Sequence, residues 1–346
     1  MNNMLTNGDW LDLTNEETLE PDLPICDPHH HLWEFRDGQV ALRYLLNDIL
    51  IDVNSGHNIR STVFIECGAS YLSTGPEELR PVGETEFVNN IATMAAVEPQ
   101  AKTRIAAAIV GTADLTLGAD VEPVLDAHMA AGGGRFRGIR HQATWDASEE
   151  VPNGRTNPKQ SILLDSDFRR GFATLARRNL SFEGWCYHPQ IPELADLARS
   201  FPDTVIILNH FGGPLGVGPY RGTREQNFPA WKQAIADLAS CPNVVAKLGG
   251  INMVVNGFAW HERQRPPGSQ ELIDATRPYY EHTIEQFGVG RCMFESNFPV
   301  DKVSCSYNVL WNSFKRLTTN YSAAEKADLF HDTANRIYRL DETFRQ

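Results

Sequence analysis

The chain has 346 residues, of which 42% are hydrophobic and 22% are charged, a composition typical of a soluble globular protein with a large apolar core. Its formal net charge of -13 argues against nucleic acid or an anionic membrane surface as the main partner, because both require clustered lysine and arginine. An anionic small molecule would therefore have to meet a local positive site.

Residues 1–23 are polar and acidic, and we expect them to form an N-terminal arm ahead of one domain that spans residues 24–346. The arm lacks the basic start and apolar stretch of a secretory signal, and no window approaches the ~18 apolar residues that a membrane span requires. The six cysteines are spread singly, which indicates buried free thiols in a reducing compartment. These features predict a cytoplasmic protein.

Short β-branched segments alternate with longer helical segments along almost the whole chain. Several helical segments begin at a capping residue or proline and end near glycine. The predicted strands are 24–27, 61–67, 104–110, 136–140, 181–187, 204–209, 244–248 and 291–295. The predicted helices are 82–96, 121–131, 166–177, 191–200, 229–239, 269–287 and 323–338.

Strands joined by helical crossovers favour an α/β fold, a single-domain (β/α)8 TIM barrel with long active-face loops. A doubly wound open sheet shows the same alternation. The strand ends decide between them, because nearly every predicted strand ends in a side chain suited to chemistry and a barrel brings such ends together on one face. These side chains belong to His29, His31, Glu66, Arg140, His141, His188, His210, Lys247, Glu295 and Asn297.

Two connections, 215–227 and 249–270, are too long and irregular to be simple turns. They follow the sixth and seventh predicted strands, and loops of this length are often functional. We therefore expect both to be lids. The second contains Trp260 and Arg265, which could close over a ring-shaped ligand, although an aromatic plug packed on the barrel rim is an equally good interpretation of the tryptophan.

Four histidines lie at predicted strand ends. His29 and His31 are two positions apart and project from the same face of the first strand, whereas His30 points away. His188 precedes a proline that ends its strand, and His210 precedes a Gly-Gly turn. Because imidazoles are the usual metal ligands and proton carriers at neutral pH, we predict that the four strand-end histidines are catalytic. They are also the predicted ligands of a possible divalent metal ion, with zinc the best candidate.

A cationic pair follows the fourth predicted strand. Arg140 and His141 are suited to bind a carboxylate at a barrel mouth, although a salt bridge within the rim is the alternative for the arginine. The complete predicted substrate-binding set is Arg140, His141, Trp33, Tyr187, Trp260 and Arg265.

Five motifs together resemble the amidohydrolase superfamily, and more narrowly its group of 2-pyrone-4,6-dicarboxylate lactonase, sulfomuconolactone hydrolase and sugar lactonases. They are DPHHHLW at 27–33, GIR at 138–140, YHP at 187–189, LNHFGGP at 208–214 and MFESNFP at 293–299. The resemblance covers about residues 24–338 and implies a (β/α)8 barrel that hydrolyses a lactone or related cyclic ester. In metal-binding members the first-strand pair and later histidines supply the ligands, whereas the pyrone lactonase branch works without a metal.

One position departs from the superfamily pattern, which has a water-activating aspartate where this chain has Asn297. An amide cannot accept a proton at neutral pH, so the general base must lie elsewhere. Asn297 and Glu295 nevertheless remain in the predicted catalytic set. The candidates for the base are Glu295, Asp301, Glu183, Glu66 or a histidine that is free of metal.

The sequence thus predicts a hydrolase that opens a small anionic lactone by attack of water on its carbonyl. A metal ion, or a group of imidazole and guanidinium donors, would stabilise the developing oxyanion. Metal-dependent decarboxylation of an aromatic or unsaturated acid is one alternative, and it needs no water-activating base. A catalytically lapsed barrel that only binds a ligand is another. The predicted partner is a carboxylate-bearing small molecule, and a homodimer is expected because barrels of this type often pair.

Overall fold

The computed structural model of the protein describes residues 7–36, 43–99 and 101–340. Eight parallel strands follow one another in chain order around a barrel, as the sequence predicts. A parallel bridge between His30 and Phe298 joins the first strand to the segment after the last. The strands are β1 (Pro24–His30), β2 (Asn58–Ile65), β3 (Arg104–Gly111), β4 (Phe136–Ile139), β5 (Ser181–Gly184), β6 (Ile206–Leu208), β7 (Val244–Leu248) and β8 (Cys292–Phe294).

Helices surround the barrel and fill the crossovers between strands. They are α1 (Asn7–Leu11), α2 (Leu46–Val53), α3 (Val82–Val97), α4 (Glu122–Ala131), α5 (Ser166–Phe172), α6 (Ile191–Ser200), α7 (Arg224–Ala239), α8 (Ser269–Phe287), α9 (Tyr307–Leu317), α10 (Ala323–Ala327) and α11 (Thr333–Ile337). None of the described helices is both long and apolar enough to cross a bilayer. The architecture confirms the predicted (β/α)8 fold class.

The structure differs from the predicted loops and helices in some details. The loop predicted at 215–227 ends early, because α7 begins at Arg224 and accommodates Pro229 near its start. The helix predicted at 323–338 is confirmed, with α10 and α11 joined without a break by a π-helical turn at residues 328–332. Helices α1, α2 and α9 were not predicted, although Ser306 caps α9 by accepting a 3.4 Å hydrogen bond from the Val309 N–H.

The C-terminal segment closes the amino end of the barrel. Tyr338 and Leu340 pack against the apolar side chains that the strands direct into the barrel. Arg137 Nε donates to the Tyr338 carbonyl at 2.8 Å, and Arg104 donates to the Leu340 carbonyl at 3.1 Å. These two arginines lie near the starts of their strands, so the segment forms a floor opposite the strand carboxyl ends.

The N-terminal arm packs against the loop that follows β7. Trp10 Nε1 donates to the Arg263 carbonyl at 3.0 Å, and Thr14 Oγ1 donates to the Pro266 carbonyl at 2.9 Å. The arm therefore fixes the outer part of the second predicted lid. All six cysteines are buried and unpaired, as expected from their spacing.

Candidate active site

A cluster of imidazoles lies at the carboxyl ends of the strands. The rings of His29 and His31 are 5.0 Å apart between centroids, and the His210 ring is 4.5 Å from that of His29. His30 points away into the packing, with its Nε2 3.0 Å from Thr62 Oγ1. The extended backbone at the end of β1 therefore places His29 and His31, two positions apart, in the cluster and turns His30 away from it.

Glu295 lies between two of these imidazoles, immediately after β8. Its Oε1 is 2.7 Å from His210 Nδ1, and its Oε2 is 2.7 Å from His29 Nδ1. Burial raises the pKa of Glu295 to about 8, with Lys247 opposing that shift. Burial also lowers the pKa of both histidines well below the ordinary value, so the two rings are neutral at pH 7.

His31 is held in a defined tautomer. Its Nδ1 is 2.8 Å from the Ile65 carbonyl, which can only accept, so Nδ1 carries the proton when the ring is neutral. Burial lowers the pKa of His31 well below its ordinary value. The lone pair is therefore on Nε2, which is 3.2 Å from Asn297 Oδ1.

A fully buried charge network supports the cluster from inside the barrel. Lys247 Nζ forms a 3.0 Å ion pair with Glu183 and lies 3.3 Å from His29 Nδ1. Asn209 Nδ2 donates to Glu183 at 2.5 Å, and the Tyr338 hydroxyl from the barrel floor donates to the other Glu183 oxygen. The negative charge of Glu183 is thus fully compensated, as burial requires.

A cavity of about 480 Å³ opens above the cluster. Three arginines line it, and no aspartate or glutamate of the described chain does. One wall is apolar and is formed by Met253, Val254, Val255, Val300 and Val303. The rest of the lining comes from His31, Arg36, Cys67, Arg140, Gln142, Thr144, Pro152, Asn153, Gly154, Arg155, Trp185, Tyr187, His210 and Asn297. The cavity of this acidic protein is therefore suited to an anion with an apolar body.

One buried carboxylate anchors two of the three arginines. Glu66 accepts from Arg140 Nε at 2.8 Å and from Gln142 Nε2 at 2.8 Å, and its second oxygen accepts from Arg155. Burial would raise the pKa of Glu66, but the two arginines lower it to about 2. Two guanidinium groups facing one carboxylate leave excess positive charge at the cavity.

The structure does not place His188 in the imidazole cluster. Strand β5 ends at Gly184, earlier than predicted, and His188 begins a separate helical turn. Its Nδ1 accepts a 3.2 Å hydrogen bond from the Leu215 N–H, and its ring packs against Tyr220. His188 therefore lies outside the candidate metal site, contrary to the prediction.

Other predicted substrate-binding residues also lie elsewhere. His141 Nδ1 accepts from the Leu115 N–H at 3.2 Å, outside the cavity. Trp260 is buried and stacks on Phe258 as a rim plug, with ring centroids 5.7 Å apart. Arg265 is exposed in a shallow surface depression.

Two predicted aromatic residues lie at or beside the cavity. Tyr187 lines it, whereas Trp33 is buried beneath it and has the Arg36 guanidinium 5.0 Å from its ring centroid.

Of the two predicted lids, the second contributes residues 253–255 to the wall of the cavity. The first packs on the second, with the Gly216 N–H donating to the Val255 carbonyl at 3.0 Å.

The sequence analysis missed the loop between β4 and α5, which supplies Arg155. This connection is longer than the loop predicted at 215–227 and contains proline, glycine and asparagine, so the same length criterion would have found it. Gly68 gives the Arg155 guanidinium room, because a Cβ there would lie 2.6 Å from its Nη1. Arg36, at the end of the described segment 7–36, was also missed.

His29, His210 and Glu295 form a candidate metal site, since their ligand atoms lie within 4.8 Å of one another. Glu295 Oε2 has no aligned hydrogen-bond donor in the described chain and keeps a lone pair available. Two imidazoles and a carboxylate suit a divalent ion such as zinc. The set differs from the predicted one, because Glu295 is included whereas His31 and His188 are not.

Comparison with known proteins gives a consistent assignment. The family model described as amidohydrolase matches residues 26–340. The uncharacterized protein y4mH of Sinorhizobium fredii is 34% identical over 339 residues, covering 92% of this chain and 99% of that protein. L-fucono-1,5-lactonase of Burkholderia multivorans is 25% identical, covering 91% of this chain and 96% of the enzyme. An amidohydrolase crystal structure from Burkholderia multivorans with bound zinc superposes with a TM-score of 0.69 at 24% identity, covering 91% of this chain and 99% of the other. The chain therefore belongs to the amidohydrolase family.

Proposed function

We propose that the protein hydrolyses a small lactone that carries a carboxylate. The observation that supports this most directly is the cavity that three arginines line together with His31 and His210, the second of which belongs to the candidate metal site. The similarity to L-fucono-1,5-lactonase, at 25% identity, supports the same class of reaction. The apolar wall of the cavity would accept the ring of the substrate.

Arg155 and Arg36 are the residues that bind the substrate carboxylate in this proposal. Arg140 is buried and already makes two hydrogen bonds to Glu66, so it supplies fixed positive charge. Arg155 has a side chain that is 29% exposed, and it can meet a ligand while it stays paired with Glu66. Guanidinium groups bind carboxylates in a bidentate geometry, which would orient the lactone.

His31 is the proton acceptor in this proposal. His31 lines the cavity, so its Nε2 would take a proton from the water that attacks the lactone carbonyl. The Nε2–H formed in this step can donate a hydrogen bond to Asn297 Oδ1, 3.2 Å away, while the proton stays on Nε2. When the ring C–O bond breaks, the proton passes from Nε2 to the departing alkoxide oxygen, and the product is an open-chain hydroxy acid.

Polarisation of the carbonyl is the remaining requirement. His29, His210 and Glu295 would hold a divalent ion, which when bound supplies Lewis-acid stabilisation of the developing oxyanion. Glu295 provides the anionic ligand that a set of four histidines lacks. The buried guanidinium of Arg140, with its Nη1 3.4 Å from His29 Nε2, adds fixed positive charge beside the cluster.

A panel of lactones with and without a carboxylate substituent tests the proposed function. Hydrolysis releases one proton per turnover, and the hydroxy acid is identified by mass spectrometry. We expect turnover of carboxylate-bearing lactones and at least tenfold lower kcat/KM for neutral analogues, since a lost charged hydrogen bond costs about 1.5–3 kcal/mol. Release of carbon dioxide without ring opening, or tight binding without turnover, would contradict the proposal.

Substitution of Arg155 by methionine is expected to raise KM for such a lactone about 10- to 100-fold, because charged hydrogen bonds of about 1.5–3 kcal/mol are lost. Steady-state kinetics check this. The control is Arg265→Met, an equally conservative change at an exposed arginine outside the cavity. Equal KM values for the two variants would show that Arg155 does not bind the substrate.

Removal of metal is expected to lower kcat at least tenfold, and one equivalent of zinc is expected to restore it, because a bound divalent ion stabilises oxyanion charge by several kcal/mol. Elemental analysis should find about one divalent ion per chain, and Glu295→Gln should lower that content because it removes the anionic ligand. Full activity in metal-free protein would refute the metal site while leaving the hydrolase proposal intact.

A further inference from the structure

Gln142 is a buried side chain to which the proposed mechanism gives no role. It follows β4 closely and lines the cavity. Its Oε1 accepts a 2.8 Å hydrogen bond from the main-chain N–H of Arg155, and its Nε2 donates to Glu66 Oε1 at 2.8 Å. Because Glu66 Oε2 accepts from the Arg155 side chain, the three residues form a closed ring of hydrogen bonds.

This ring of hydrogen bonds fixes the orientation of the Gln142 amide. A main-chain N–H requires an acceptor and a carboxylate requires a donor, so Oε1 must face Arg155 and Nε2 must face Glu66. A glutamate at position 142 would place a second carboxylate against Glu66, and an apolar side chain would satisfy neither neighbour. Glycine at position 154 permits the close approach of the loop between β4 and α5, since a Cβ there would lie 3.1 Å from Gln142 Oε1.

The same contacts determine how the Arg155 guanidinium pairs with Glu66. A guanidinium and a carboxylate often pair through two parallel hydrogen bonds. Here Glu66 Oε1 already accepts from Gln142 Nε2 and Arg140 Nε, so Arg155 bonds only Oε2, through its Nη2. Its Nη1 donates to the Tyr71 hydroxyl at 3.4 Å, and its other N–H groups have no partner in the described chain. They remain available to a ligand in the cavity.

Loss of the Gln142 amide would change Arg155 in two ways. The Arg155 main chain would lose its acceptor, so the loop that carries it would open more often. Glu66 Oε1 would lose a donor, so Arg155 could turn to bond both Glu66 oxygens and withdraw N–H groups from the cavity. Both changes lower the fraction of molecules that can bind an anion, and the apparent affinity falls with that fraction.

We infer that Gln142 is a positioning residue for the substrate carboxylate, which fixes the Arg155 main chain and keeps part of the Arg155 guanidinium free of Glu66. The inference rests on the proposed role of Arg155 in substrate binding. It concerns binding rather than the chemical step, because within the described chain Gln142 forms no hydrogen bond to the imidazole cluster or to Glu295.

Steady-state kinetics of Gln142→Met test the inference. Methionine has a similar length but cannot donate to Glu66, and its sulfur is a weak acceptor. We expect KM for a carboxylate-bearing lactone to rise about 5- to 30-fold, as for the loss of one or two buried hydrogen bonds, with kcat within threefold of the wild type. If Gln142→Met does not fold, Gln142→Ala takes its place. Equal KM values for the wild type and the variant would overturn the inference.

Gln190→Met is the matched control for the loss of a buried glutamine. Gln190 accepts from the Trp145 and Tyr187 N–H groups and donates to the Ala143 carbonyl at 2.6 Å, so it fixes the start of the same loop. It does not line the cavity and bonds no arginine in the part of the chain that the structure describes. Its KM should stay within threefold of the wild type. A rise in KM equal to that of Gln142→Met would overturn the inference, because any loosening of the loop would then have the same effect.

A double-mutant comparison separates positioning from general support of the fold. In an Arg155→Met background there is no guanidinium to position, so adding Gln142→Met should change KM less than twofold. A residue that only supported the fold would raise KM by the same factor in both backgrounds, and that result would overturn the inference.

Limited proteolysis needs no substrate and therefore keeps this inference distinct from the proposed function. Trypsin cleaves after arginine, and we expect Gln142→Met to speed cleavage between Arg155 and Thr156 about 3- to 10-fold, measured by mass spectrometry. Cleavage after the exposed Arg263 is the internal reference and should keep its rate. Faster cleavage at Arg155 in a protein that hydrolyses no lactone would support the positioning of Arg155 and refute the proposed function. Unchanged cleavage in an active enzyme would overturn only the role of Gln142.

Discussion

Replacement of His31 by alanine is expected to lower kcat for lactone hydrolysis about 10²- to 10⁴-fold, the range typical for loss of a general base. The reason is the tautomer that the Ile65 carbonyl imposes, which leaves Nε2 as the unprotonated nitrogen at the cavity. KM should change much less, because the carboxylate of the substrate is bound by arginines. Steady-state kinetics with a carboxylate-bearing lactone provide the measurement.

His188→Ala is the matched control for this experiment. Both histidines follow strands of the same barrel, but His188 accepts from the Leu215 N–H and does not line the cavity. Its removal should leave kcat within about threefold, because no proton-transfer group is lost. Comparable losses in the two variants would mean that the cavity is not where the chemistry occurs.

Replacement of Lys247 by methionine is expected to destabilise the fold by about 3–5 kcal/mol, the usual cost of removing one partner of a buried ion pair. Lys247 and Glu183 are both fully buried and 3.0 Å apart, so the variant would leave an unbalanced carboxylate inside the barrel. Urea unfolding followed by circular dichroism checks this, with the shift of the midpoint as the primary readout.

Arg277→Met is the control for stability, because Arg277 forms an exposed ion pair of 3.2 Å with Glu281 one helical turn away. Such pairs contribute only about 0.3–0.5 kcal/mol. The double variant Glu183→Gln with Lys247→Met should recover part of the loss, since neither charge remains. A single variant at Lys247 as stable as the Arg277 control would disprove the electrostatic argument.

The sequence predicted the barrel and the place of the site because both depend on local pattern. Period-2 geometry placed His29 and His31 together, and the Gly-Gly turn after His210 brought that ring to the same end of the barrel. Glu295 was identified as a candidate, but its contacts with both rings depend on strands that lie far apart in the chain. Pairings of that kind are fixed by the closed barrel and cannot be read from one strand.

The errors have an equally specific cause. His188 was misplaced because its strand ends four residues before it, and strand ends are poorly defined by apolar runs alone. Arg155 was missed because it lies in an irregular loop and its partner Glu66, just after β2, is 89 residues earlier in the chain. Arg265 and Trp260 were chosen for their chemistry within a long loop, whereas only residues 253–255 of that loop reach the cavity.

The floor of the barrel has a consequence for biosynthesis. Glu183 is made at about the middle of the chain, but the Tyr338 hydroxyl that satisfies one of its oxygens is made near the end. During translation, a ribosome-bound chain holding all eight strands would still have an open base and an incompletely satisfied internal carboxylate. We therefore expect the barrel to reach its final stability only after the C-terminal segment has left the ribosome, so that maturation of the active site is a post-translational event.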